Sequence, residues 1–199
     1  MDFADEIIER FYFRTPELRR VLLKHSKQVR DKALQLCEDA QLELDLQLVS
    51  DGAMLHDIGI IKCHAPDIFC PGELPYIAHG IAGAGMLRAL PGEMERLARI
   101  CERHTGSGLT AEEIVKGGLP LPEKDFLPET LEEKVICLAD KFFSKSGEMK
   151  EKPLPLIRGQ SSHRYPCSCA DCPGNIRARH RFCPPGLRRV GGNALHFIT

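Results

Sequence analysis

The chain has 199 residues, of which 43% are hydrophobic and 28% charged, and a net charge of −1. That length makes one domain, or one domain with an appendage, and can bury a sizeable core. No uncharged apolar run approaches the roughly 20 residues that cross a bilayer. The acidic start, Met1 to Glu6, also lacks the basic and apolar regions of a secretory signal, so no membrane partner and a cytoplasmic location are expected.

Residues 1–145 read as helix after helix, with no strand alternation. Thr15-Pro16 opens a helix, Thr offering a cap oxygen and Pro occupying a position whose N–H needs no partner. The stripe that follows, Leu18, Leu22, His25, Val29, Ala33 and Leu36, is spaced by three or four and makes one face apolar, with His25 inside it. A second helix spans Leu46 to Asp57 and stops at Gly59, read as a left-handed end that only glycine adopts at no cost. From Ile60 to Pro75, with Pro66, Pro71 and Pro75, the chain reads as a loop covering one side of a site. Helices follow over 76–90 and 92–104. Thr110-Ala111-Glu112-Glu113 and Thr130-Leu131-Glu132-Glu133 are capping boxes that start two more helices. On the last of these, Ile136, Asp140 and Phe143 share a face, which puts Asp140 on the buried side.

A single histidine on an apolar stripe is most simply a core residue bonded to a carbonyl. A buried ionised carboxylate is different, because it is costly without a cation or hydrogen bonds. His25 and Asp140 come from helices far apart in sequence, and His56-Asp57 stands at a helix tip. Together they point to convergence on a metal ion. Neutral imidazoles with carboxylates suit Fe, Mn, Co, Ni or Zn, whereas a site for Mg alone would use oxygen.

The order His25, then His56-Asp57-Ile58-Gly59, then His79 (in Ala78-His79-Gly80) and His104 (in His104-Thr105-Gly106), then Asp140, resembles the HD superfamily of metal-dependent phosphohydrolases, the HDIG branch in particular. The resemblance covers residues 18–146 and implies an all-α HD-domain helical bundle over residues 1–150. It assigns His25, His56, Asp57 and Asp140 to a primary divalent transition metal. His79 and His104 match the extra histidines of members with two ions, in which the Asp of the His-Asp pair bridges. Asp57, His79 and His104 are then the catalytic residues, and a small phosphorylated molecule, a nucleotide above all, is the substrate. HD-type hydrolases that split diadenosine tetraphosphate share the His-Gly and His-Thr-Gly contexts. Many HDIG proteins carry a lysine directly after the glycine; here that position is Ile60. Candidate phosphate contacts are Lys62, Arg103 and Lys141. Two other readings stay open: a nucleotide-binding regulatory module that does not hydrolyse its ligand, and oxygen chemistry at a binuclear iron site.

Residues 151–199 form an irregular appendage. Residues 158–199 carry seven arginines against one acid, Asp171, or +6, which leaves −7 on the rest. Cys167, Cys169, Cys172 and Cys183 cluster there, whereas Cys37, Cys63, Cys70, Cys101 and Cys137 are scattered and read as reduced, packed thiols. The tail is open to three readings: a disordered segment, a zinc knuckle or RNA-binding arm, and translation from a shifted frame. Nucleic acid is not the expected partner of the domain.

Overall fold

A computed structural model of the protein describes residues 2–145, 147 and 149–153. The basic, cysteine-rich tail lies outside the described residues. Among them the fold is all-α, with seven α-helices: α1 (Phe3–Tyr12), α2 (Pro16–Asp39), α3 (Leu46–Leu55), α4 (His79–Arg88), α5 (Glu95–Arg103), α6 (Ala111–Lys116) and α7 (Leu131–Lys141). No helix among the described residues is long and apolar enough to cross a membrane.

The long helix α2 is the spine. Its stripe is buried throughout, from Leu18 and Leu22 through His25 and Val29 to Ala33 and Leu36. Pro16 opens it as expected, but Thr15 does not cap it: the hydroxyl donates back to Tyr12 O at 3.3 Å instead. Both predicted capping boxes form in full, at Thr110 with Glu113 and at Thr130 with Glu133. Each supplies partners to amides that a helix start otherwise leaves unpaired.

Around Gly59 the structure departs from the sequence reading. The chain does not leave in a left-handed turn; it tightens into a 3-10 turn, Ile58–Lys62. Glycine is required there because α4 crosses against it. A Cβ on Gly59 would lie 2.1 Å from His79 O and 2.3 Å from Gly83 N. The stretch expected to be a loop is also partly ordered: His64–Ala65 pairs antiparallel with Cys70–Pro71 around a 3-10 turn at Pro66–Ile68. The helix expected over 76–90 begins with a 3-10 turn, Tyr76–Ala78, and becomes α-helical at His79. Tyr12 ties this region to α1, its hydroxyl donating to Ile58 O at 2.7 Å.

Among the described residues the core falls into two large apolar clusters and a small one of Leu109, Ile114 and Phe126. One large cluster gathers α1, the first half of α2, Leu55 to Ile60, α4 and Ala98 of α5. The other gathers the second half of α2, Val49 and Ala53 of α3, Ile100, and α7 with Phe142 and Phe143. On α2 the boundary falls between Leu22 and Val29, where His25 stands. The polar site therefore occupies a seam between two cores. The five described cysteines, Cys37, Cys63, Cys70, Cys101 and Cys137, are buried free thiols.

Beyond α7 the chain turns sharply and is fastened to α2. Phe143 N donates to Asp140 O at 3.1 Å, and Lys152 N to Phe142 O at 2.7 Å. Gln28 Nε2 donates to Met149 O at 2.8 Å, and Lys32 pairs with Glu151 at 2.6 Å. Residues 144 and 145 are thereby held at the seam.

Candidate metal centre

The six predicted ligands arrive from five rigid elements. His25 comes from the middle of α2, His56 and Asp57 from the end of α3, His79 from the first residue of α4, His104 from the end of α5, and Asp140 from the last turn of α7. All four histidines and Asp57 are buried. Asp140 is not fully enclosed as expected: its side chain is 19% exposed, at the wall of a cleft.

The Asp57 carboxylate is divided between two groups. Oδ2 lies 3.0 Å from His56 Nε2 and 3.2 Å from His25 Nε2, while Oδ1 lies 3.3 Å from His79 Nε2 and 3.4 Å from His104 Nε2. Asp140 Oδ1 joins the first group, 2.9 Å from His25 Nε2 and 3.6 Å from His56 Nε2. Two sets of ligand atoms result, each within 4.8 Å: His25, His56, Asp57 and Asp140, and Asp57, His79 and His104.

The backbone sets the chemistry of the rings. His56, His79 and His104 each place Nδ1 2.7 Å from the carbonyl three residues earlier, of Ala53, Tyr76 and Cys101. A carbonyl only accepts, so each Nδ1 carries a proton and each Nε2 faces inward, where it offers a lone pair in the neutral form of the ring. His79 Nε2 and His104 Nε2 are 3.0 Å apart. Two facing lone pairs at that distance repel unless a cation lies against both. Both Asp57 oxygens and His56 Nε2 are buried at ion-pair distance from neighbours, yet none meets a partner in hydrogen-bond geometry. Orphaned donors and acceptors of this kind, deep in a protein, fit a bound ion.

Protonation follows from the same contacts. Burial opposes a charge on His56, but the Asp57 and Asp140 carboxylates prevail and raise its pKa to about 10. His79 is pushed down to about 3, chiefly by burial and also by His104 and Lys145, against the pull of Asp57. It is therefore already the neutral ligand form at neutral pH. Asp57 and Asp140 both stay ionised: burial would raise them, but the histidines and Lys145 hold them well below the ordinary range.

The three sequence candidates for phosphate contact fall in different places. Lys141 lines a cleft of about 350 Å³ beside Asp140, together with Tyr76, Gly106 and Ser144, and its ammonium donates to Ser107 Oγ. Lys62 is exposed at the end of the 3-10 turn. The Arg103 guanidinium is held by Leu127 O at 2.8 Å and Glu129 at 2.6 Å. Neither Lys62 nor Arg103 lines that cleft. Sequence reasoning missed Lys145, whose Nζ is 2.6 Å from Asp57 Oδ2 and whose side chain is only 15% exposed. On a continued helix it would sit roughly 140° round from Asp140, so helical spacing gives no sign of it. The turn after Phe142 brings it back.

The fold is an all-α bundle in which four histidines and two aspartates converge between two cores, in groups that could hold a metal ion. The chain belongs to the HD domain family, which matches residues 22–144 and whose members are generally metal-dependent hydrolases. It is 47% identical over 98 residues to an uncharacterised protein of Methanocaldococcus jannaschii, a match covering 49% of this chain and 50% of that protein. It is also similar to two proteins named tRNA (cytidine(56)-2'-O)-methyltransferase. That of Picrophilus torridus is 39% identical over 67% of this chain and 35% of its own length. That of Thermoplasma volcanium is 35% identical over 65% of this chain and 33% of its own length. The match thus spans half or less of each of these relatives. No solved structure matches the chain.

Proposed function

We propose that this chain is a metal-dependent phosphohydrolase acting on a nucleotide or another small phosphoester. The observation that carries the reading is the Asp57 carboxylate, one oxygen facing His25 and His56 and the other facing His79 and His104. His25, His56, Asp57 and Asp140 would hold one divalent transition metal; Asp57, His79 and His104 would hold a second. Such an ion lowers the pKa of water and polarises a phosphoryl oxygen. The chain's own part is to keep the Nε2 lone pairs aimed inward through the carbonyls of Ala53, Tyr76 and Cys101, and to keep both carboxylates ionised. The cleft beside Asp140 gives a small substrate access to the centre. Phosphate release from a panel of nucleotides and sugar phosphates, across Mn, Co, Ni, Zn and Fe, tests the reading. Turnover lost in Asp57→Ala is expected; undiminished turnover in that variant refutes it.

A second reading, a nucleotide-binding module without turnover, is supported by the relatives named as tRNA methyltransferases, where similarity to this chain takes up only 35% and 33% of the length. A domain joined to another activity can serve by binding alone. Tight nucleotide binding with no turnover in any of these metals would favour it.

A further inference from the structure

We propose that Lys145 binds the phosphoryl oxygens of the substrate at this centre, an inference that rests on the phosphohydrolase reading. Lys145 lies where the metal-ligand cluster and the cleft meet. Its Nζ is 2.6 Å from Asp57 Oδ2, and its side chain lines the cleft with Tyr76, Asp140 and Ser144. Lys145 thus sets an ammonium directly against a carboxylate of the cluster.

Its position is set by the fold rather than by a loose side chain. Phe142 and Phe143 are buried in the second core, Lys152 N closes back onto Phe142 O, and Met149 O accepts from Gln28 of α2. The segment carrying Lys145 is thus fixed on both sides. The other cleft lysines are engaged elsewhere: Lys141 donates to Ser107 Oγ, and Lys152 Nζ to Phe143 O at 3.2 Å.

Lys145 also changes the charge at the mouth of the centre. With neutral imidazoles, Asp57 and Asp140 offset one divalent ion, so one ion leaves the centre neutral and two leave it with two positive charges. Lys145 adds a positive charge at the open side, in a setting where little water screens it. An ammonium is a compact charge with three donors, suited to phosphoryl oxygens as they arrive. A role confined to neutralising Asp57 would not require that Lys145 also line the cleft.

The test uses the full chain loaded with Mn, its metal content measured by elemental analysis, and inorganic phosphate as the probe in calorimetric titration. Lys145→Met is expected to keep its metal and to weaken phosphate binding by about ten- to hundredfold, the range for losing a hydrogen bond to a charged group. Lys145→Arg, which keeps the charge, should recover most of that loss. Wild-type phosphate affinity in a metal-loaded Lys145→Met protein overturns the proposal. So does loss of metal in both variants, which would make Lys145 a structural partner of Asp57. A wild-type chain that takes up no metal is separately visible in the elemental analysis, and overturns the phosphohydrolase reading along with this one.

Discussion

Gly59→Ala is a small change with a large expected effect, because α4 leaves no room for a methyl group. The new Cβ would stand 2.1 Å from His79 O, where ordinary contact starts at 3.4 Å, so α4 must retreat by about 1.3 Å. The obstructing atoms are backbone, His79 O and the N and Cα of Gly83, and cannot swing aside as a side-chain tip can. Overpacking of this kind costs about 1–3 kcal/mol and sometimes more, and the rigid obstacle places Gly59→Ala at the upper end. His79 is the first residue of α4 and moves with it, whereas a ligand constellation tolerates displacements of only about 0.5 Å. Urea unfolding should therefore show a lowered midpoint, and elemental analysis should show loss of the ion shared by Asp57, His79 and His104. Gly85→Ala is the control: nothing lies within 4 Å of its Cβ, and replacing a mid-helix glycine should be neutral or stabilise by up to about 1 kcal/mol. A Gly59→Ala protein with the wild-type midpoint and full metal content would refute the reasoning.

The pH response of the metal-stripped protein is set in part by His56. Its folded pKa, about 10, lies above the ordinary 6.5, so its contribution to stability is complete below pH 6.5 and is lost as pH rises through 10. The melting temperature should fall across that window, and His56→Gln should flatten the fall; an equal slope in both proteins would contradict the assignment. Because the metal must displace the His56 proton, loading at pH 7.5 should release about one proton per chain, measurable by calorimetry in buffers of different ionisation enthalpy. A heat independent of buffer would count against it. Thr130→Ala removes the box that starts α7, the helix that carries Asp140, and should cost about 1–2 kcal/mol in urea unfolding; no change would show that the cap is dispensable.

Much of this was legible in the sequence because it depends on spacing along single helices. The stripe from Leu18 to Leu36 and the two Thr-x-x-Glu boxes needed only local periodicity and local hydrogen bonding, and the structure has both. The histidines and aspartates were also readable, since their order carried the family resemblance that residues 22–144 bear out. What escaped depends on contacts between distant segments. The reason for a glycine at position 59 lies twenty residues on, in the carbonyl of His79, and local turn rules supplied the wrong explanation. Thr15 looked like a cap, but its hydroxyl turned to Tyr12 O. Lys145 follows the end of α7, where helical spacing no longer says which way a side chain points. Asp140 was expected to be fully buried from its helix face, yet the cleft opens beside it.

The count of metal ions per chain, on reconstituted wild type and on the Asp57→Ala and His104→Ala variants, tests the centre most directly. The divided Asp57 carboxylate predicts about two ions in the wild type, about one in His104→Ala and none held tightly in Asp57→Ala. A wild type that binds no transition metal after reconstitution, or an Asp57→Ala protein that keeps its full complement, would contradict the account.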